Sequence, residues 1–267
     1  MNDPGGAAGA VGSRPFDPFA AGSDAYLVPK PELVSMVVDV FRSFELVGEA
    51  DSEDSSSVKV SAEALTRFVH EICYMYNDNL PFHNFHHGFT VFSVAAEYVR
   101  AVLDAAADGG DGSTAKFSTN AADKIPSLFP LRPVHILALL LAALCHDVDH
   151  PGLSNAFLNG TLNSSAALEP HPLAKRHSGQ TASVVEAHHV DTTTCLLAAG
   201  EERMGIRARN SKSTRQNGAN PPPKLASNLP GSEGLLSGMD AADAAYVMRL
   251  IAHAIMGTDL AVQLAER

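Results

Sequence analysis

The feature that most constrains this chain is a run of ionisable residues at the end of a long apolar segment. Residues 134–145 are apolar apart from His135, and His-Asp-Val-Asp-His-Pro-Gly follows directly at 146–152. Because Pro and Gly end helices, the ionisable side chains are predicted to lie at the C-terminal mouth of a buried helix. Burying so many polar groups is costly unless something binds them, and a divalent cation is the usual partner.

The residue types in this run favour a metal site. Imidazole nitrogen from His146 beside carboxylate oxygen from Asp147 is typical of zinc, manganese or iron, whereas magnesium is satisfied by the carboxylate alone. The alternative is a helix C-terminus that carries histidines because they suit its electrostatics. A second cluster, Phe-His-Asn-Phe-His-His at 82–87, favours the metal site. His83 and His87 are four residues apart, so on a helix both would point to one side.

Two further segments carry polar side chains that could face the same site. Glu186 is followed by the adjacent His188 and His189, on a segment predicted to be helical. Two adjacent residues cannot both face one site from one helical turn, so we expect at least one of these histidines to be structural. Thr258 and Asp259 interrupt the apolar face of the last predicted helix.

Composition and net charge limit the kinds of partner that we expect this chain to bind. The formal net charge of −11 argues against binding to nucleic acid or to an anionic membrane. A bound metal would still admit an anionic small substrate, because it inverts the local field. The three cysteines are far apart in sequence and each fits an apolar helical register, which predicts buried thiols in a reducing compartment. The longest apolar run is too short to span a bilayer and no secretory signal is recognisable, so we expect a cytoplasmic protein.

Helical spacing of apolar residues predicts an all-α chain. Residues 1–28, rich in Gly, Ala and Pro, are expected to form a disordered tail before a domain at 29–267. Flexible insertions are expected near 107–128 and 201–238, and an irregular stretch between Gly152 and about Ser178. Helices are predicted at about 33–44, from Ser61 to Tyr76, over 84–106, from Pro133, over 181–199 and from Asp240.

Four motifs, taken together and in order, resemble the catalytic domain of the class I 3',5'-cyclic nucleotide phosphodiesterases. They are Phe-His-Asn-x-x-His at 82–87, His-Asp-x-Asp-His-Pro-Gly at 146–152, Glu-x-His-His at 186–189 and Thr-Asp at 258–259. Phe89 is closer to the cGMP-preferring members. The resemblance implies a multi-helix, metal-dependent phosphohydrolase bundle of the His-Asp type that hydrolyses cAMP or cGMP to the 5'-monophosphate.

The resemblance also implies roles for individual residues. His87, His146 and Asp147 would be metal ligands, with Asp147 bridging zinc and a second ion, magnesium or manganese. His83 would be the general acid that protonates the departing ribose 3'-oxygen. His150, Glu186 and Thr258 would orient ligands or waters around the metals, and Asp149 is expected to hold the backbone of the turn together.

This chain departs from the family pattern in places. Phe82 replaces a tyrosine and Ala187 an asparagine. A further metal-binding aspartate and the glutamine and phenylalanine that clamp the purine are expected downstream of Thr258, whereas the chain ends at Arg267. We therefore expect a catalytic domain incomplete at its C-terminus. Two alternatives stay open: an inactive truncated pseudoenzyme that binds metal or a partner, and a His-Asp phosphohydrolase acting on other nucleotides.

Overall fold

The computed structural model describes residues 28–48, 58–107, 131–161, 169–177, 181–198 and 234–259, and these residues form helices. The predicted tail and the two predicted insertions lie outside the described residues, apart from residues at their edges. Within the described ranges, β structure is limited to an isolated bridge between Val47 and Val60. The helices are α1 (Lys30–Ser43), α2 (Ala62–Met75), α3 (Phe85–Ala107), α4 (Pro133–Cys145), α5 (Asn155–Leu158), α6 (Pro172–Arg176), α7 (Val184–Leu197) and α8 (Ala241–Met256). The all-α prediction is confirmed.

Helix α4 forms the centre of the core because it is apolar on nearly every side. Pro133 occupies its first turn, as predicted, and α3 and α8 pack against it. Helix α8 also contacts α7, while α2 packs on α1 and touches α7. The buried residues of α4 are Val134, Ile136, Leu137, Ala138, Leu140, Leu141, Ala142, Ala143, Leu144 and Cys145. Apart from Leu139, the middle of this helix is enclosed, and its C-terminal end carries the His-Asp run.

The helix starts follow the capping residues visible in the sequence. The Ser61 hydroxyl accepts a hydrogen bond from the Ala64 amide at 3.2 Å, and the Asp240 carboxylate accepts one from the Ala242 amide at 2.8 Å. Each bond satisfies an amide that would otherwise lack a partner in the first helical turn. Both predicted starts are confirmed.

The stretch after Gly152 differs from the prediction. Residues that we expected to be irregular contain the short helices α5 and α6. Helices of one turn are too short to show apolar periodicity, so the sequence pattern could not reveal them. The helix predicted from Thr181 begins three residues later, at Val184.

Two other sequence predictions concern cysteines and membranes. All three cysteines are free thiols; Cys145 and Cys195 are buried as predicted, whereas Cys73 is only half-buried. No helix in the described part of the chain combines the length and the apolar character needed to cross a bilayer.

Candidate metal centre

Three donor atoms from two segments form a compact triangle at the end of α4. His87 lies in the first turn of α3, and His146 and Asp147 lie in the turn that follows α4. The Nε2 atoms of His87 and His146 are 3.3 Å apart, and Oδ2 of Asp147 is 3.2 Å from each of them. The three side chains are 12% to 17% exposed, so solvent and small ions can reach the triangle.

Local hydrogen bonds fix the backbone at His87 and the ring of His146. The Asn84 side chain accepts from the His87 backbone amide at 3.2 Å and thereby caps the start of α3. Nδ1 of His146 lies 2.9 Å from the Ala143 carbonyl. A carbonyl oxygen only accepts, so Nδ1 carries the proton of the neutral ring, and in that form Nε2 presents its lone pair to the triangle. This backbone bond is the usual way in which a metal-ligating histidine is held in one tautomer.

The electrostatics keep Asp147 ionised. Burial would raise the pKa of its carboxyl, but the hydrogen bonds that protonated His146 and His87 donate, together with the charge on His146, hold that pKa well below its usual range. Burial would likewise lower the pKa of His146, yet the neighbouring Asp147 carboxylate raises it above the ordinary histidine value. The ionised Asp147 carboxylate therefore favours a positive charge beside it, either on the His146 ring or on a bound cation.

The donor set and its spacing fit a tetrahedral metal ion. Donors at about 2.0–2.1 Å from a tetrahedral zinc lie roughly 3.3–3.4 Å from one another. The three edges of the triangle, between 3.2 and 3.3 Å, are close to that value. Within the described residues, His87, His146 and Asp147 are the group of metal-binding side chains whose ligand atoms lie close enough together to hold an ion.

His189 approaches the triangle from α7. Its Nδ1 donates to the Val148 carbonyl at 2.8 Å, which leaves Nε2 unprotonated at 3.8 Å from Oδ1 of Asp147. Burial lowers the pKa of His189 to about 3, so two acceptor atoms face each other across this gap. A hydrogen-bond donor or a cation would fit between these two acceptor atoms. No ligand role for His189 was predicted; the doubled histidine at 188–189 is the signal for it in the sequence.

The adjacent His188 supports the turn itself. Its Nε2 lies 3.0 Å from Oδ2 and 3.1 Å from the carbonyl oxygen of Asp149, whose backbone has a positive φ of 58°. A left-handed conformation is costly for a residue other than glycine unless its surroundings hold it. This pairing agrees with the structural role expected for Asp149 and for one of the two histidines.

His83 lies beside the triangle and not in it. His83 and His87 do not share one helix, because α3 begins at Phe85 and His83 occupies the bend before it. The ring centroids of His83 and His87 are 6.2 Å apart. The His83 ring instead stacks on His150, with centroids 3.9 Å apart and planes within 2°. Proximity in sequence could not reveal this contact, which joins residues from different segments.

His150 is held as a neutral ring. The Gly152 amide donates to its Nδ1 at 2.9 Å, so the ring proton lies on Nε2. Burial and the nearby His83 lower the pKa of His150 to about 4. Burial also lowers the pKa of His83, and the negative charge of Asp147 opposes that effect.

Asn155 gathers the remaining polar residues at this end of the bundle. Its Nδ2 donates to Glu186 at 2.7 Å and lies 3.4 Å from an oxygen of Asp259, while its Oδ1 accepts from the Val185 amide at 2.8 Å. Burial raises the pKa of Glu186. Thr258 is exposed and its hydroxyl donates to the Ile255 carbonyl at 2.7 Å. Of the Thr-Asp pair, it is thus Asp259 that contacts the other polar residues.

Comparison with known proteins identifies the family. The family profile described as 3'5'-cyclic nucleotide phosphodiesterase matches residues 82–219, just over half of the 267 residues. The matched range contains the motifs at 82–87, 146–152 and 186–189. The chain is 26% identical over 178 residues to the 3',5'-cyclic-nucleotide phosphodiesterase regA of Dictyostelium discoideum. It is 30% identical over 139 residues to the cone cGMP-specific 3',5'-cyclic phosphodiesterase subunit alpha' of Gallus gallus.

Solved structures support the fold. The phosphodiesterase domain of the RhoPDE fusion protein from the choanoflagellate Salpingoeca rosetta aligns with 89% of this chain at a TM-score of 0.55 and 20% identity. The alignment covers 52% of that domain. The sequence match to the Dictyostelium protein covers 67% of this chain and 17% of that protein. The match to the chicken protein covers 52% of this chain and 12% of that protein. The chain therefore spans about half of the solved domain and a small part of the curated relatives. On the profile match and the shared helical fold, the chain belongs to the 3',5'-cyclic nucleotide phosphodiesterase family.

Proposed function

We propose that this chain carries the metal-binding and acid-donating part of an enzyme that hydrolyses cAMP or cGMP to the nucleoside 5'-monophosphate. The observation that carries the proposal is the triangle of His87, His146 and Asp147, with the His83 ring 6.2 Å from that of His87. Family membership supports the reaction class.

The triangle would hold zinc. Oδ1 of Asp147, which lies outside the triangle and faces His189, is free to reach a second ion such as magnesium or manganese. When bound, such ions would acidify a water and neutralise the charge of the phosphodiester. The chain itself supplies the ligand orientation, through the His146 bond to Ala143 and the Asn84 cap on α3.

His83 would act as the general acid. The departing ribose 3'-oxygen is a poor leaving group as an alkoxide, and a positioned acid is worth roughly 10²–10⁴-fold in rate. Stacking on His150 holds the ring of His83 in place. Burial lowers the pKa of His83, and the nearby Asp147 carboxylate opposes that effect. Because His150 is neutral, it does not repel the proton that His83 must carry.

His150, Glu186 and Thr258 would have supporting roles. His150 would act through its stack on His83. Glu186 would act through its hydrogen bond to Asn155, which ties the start of α7 to α5. Thr258 would stabilise the end of α8, next to Asp259.

The test is a hydrolysis assay on cAMP, cGMP and a linear phosphodiester, each with manganese or magnesium added to the zinc-loaded protein. We expect turnover of a cyclic nucleotide. His83→Ala should lower turnover by at least about 100-fold while metal content stays near that of the wild type. His146→Ala should strip the metal and abolish turnover. His70→Ala, a change of an exposed histidine on α2, is the matched control and should alter neither.

Each contrary result has a distinct meaning. Activity confined to the linear diester would refute the substrate class. Full metal loading without turnover of any substrate would refute catalysis by this chain. Equal loss of metal from His83→Ala and His146→Ala would refute the division between acid and ligand.

A further inference from the structure

Tyr76 contacts both segments that carry the candidate metal ligands. It follows the last residue of α2 and is buried, with 3% of its surface exposed. Its hydroxyl donates to the Leu144 carbonyl at 2.9 Å across 68 residues of sequence. Leu144 lies in the last turn of α4, where carbonyls lack partners within the helix. The phenol therefore supplies a hydrogen bond two residues before His146.

The other side of the phenol contacts α3. Gly88, directly after His87, has no side chain, and a Cβ at that position would lie 2.6 Å from the Tyr76 hydroxyl oxygen. The hydroxyl thus lies in close contact with the helical turn that presents His87. The Phe85 ring packs edge-on against the Tyr76 ring, with centroids 6.0 Å apart.

The phenol is also held in its protonated form. Burial, with a smaller effect from the negative charge of Asp147, raises the pKa of Tyr76 well above its usual value. The phenol remains protonated at any physiological pH. It can therefore act as the donor in the hydrogen bond to the Leu144 carbonyl.

We propose that Tyr76 is a positioning residue for the metal centre, and that its hydroxyl sets the separation between His87 and the His146–Asp147 turn. The inference rests on the proposed function only in assuming that the triangle binds metal. The ligands come from segments 59 residues apart, and metal sites tolerate ligand displacements of only about 0.2 Å. A group that fixes one segment against the other therefore controls the affinity.

The test compares Tyr76→Phe with Tyr246→Phe in the full chain, by zinc competition against a chromophoric chelator. Both variants remove one phenol hydroxyl bonded near α4. Tyr246 lies 3.2 Å from Nε2 of His135, in the first turn of α4, so it reports on hydroxyl loss at the opposite end of the helix. We expect Tyr76→Phe to weaken zinc binding about 10-fold, at the lower limit of the 10–100-fold range for residues that support metal ligands. Tyr246→Phe should change it less than about 2-fold.

A second measurement covers the case in which Tyr76→Phe is partly unfolded. The visible spectrum of bound Co²⁺, normalised per bound ion, reports ligand geometry without regard to the folded fraction. It should shift in Tyr76→Phe and match the wild type in Tyr246→Phe. Equal zinc affinities and equal cobalt spectra in the two variants would overturn the inference, even if the wild type hydrolyses cyclic nucleotides. An altered affinity in Tyr76→Phe, together with a wild type that lacks turnover, would uphold the inference and refute the proposed function.

Discussion

Replacing His87 by alanine should weaken zinc binding by roughly 100–1000-fold. His87 contributes two of the three short edges of the donor triangle, at 3.3 Å to His146 and 3.2 Å to Asp147. Binding of zinc by four protein ligands is worth about 10–16 kcal/mol, or roughly 3 kcal/mol for each ligand. Because about 1.4 kcal/mol corresponds to a factor of ten, the loss of one ligand gives the stated range.

The neighbouring His86 provides a matched control for this prediction. Its Nε2 lies 3.3 Å from the Val28 carbonyl, at the start of the described chain, and it is not part of the triangle. Zinc affinity is measured by chelator competition on His87→Ala and His86→Ala, after circular dichroism has shown that both retain their helices. We expect His86→Ala to stay within about 3-fold of the wild type. Equal affinities in the two variants would refute the assignment of His87 as a ligand.

Two further predictions concern stability. Leu140→Ala should lower the free energy of unfolding by about 2–5 kcal/mol because Leu140 is fully buried in α4. Leu139→Ala, at a site 40% exposed, should lower it by at most about 1 kcal/mol. Both losses are measured by urea denaturation, and equal losses would contradict the central position of α4. Without metal, stability should fall as the pH drops below about 6.5, because His189 binds protons in the unfolded chain but, with a pKa near 3, not in the folded one. Between pH 6 and 4, His189→Gln should reduce the slope of unfolding free energy against pH by about 1.4 kcal/mol per unit in EDTA, and parallel curves would contradict this assignment.

Local chemistry made most of the fold predictable. The starts of α2 and α8 follow from Ser61 and Asp240, whose side chains cap them, and the start of α4 follows from Pro133. Each of these residues stabilises a helix start within one turn of itself, so the residues involved are neighbours in the sequence and can be recognised there. Helices α5 and α6 were not predicted, because one turn is shorter than the period that reveals a helix.

The amino-acid sequence by itself determined the helical class and predicted a metal site, since clustered His and Asp side chains beside an apolar helix are costly without a cation. Only the tertiary structure decided which of them meet. The stacking of His83 on His150, the approach of His189 to Asp147 and the contacts of Tyr76 all join separate segments. Those contacts depend on how α2, α3 and α7 pack around the end of α4. Periodicity within a helix records which side of it is buried, and leaves open which neighbour covers that side.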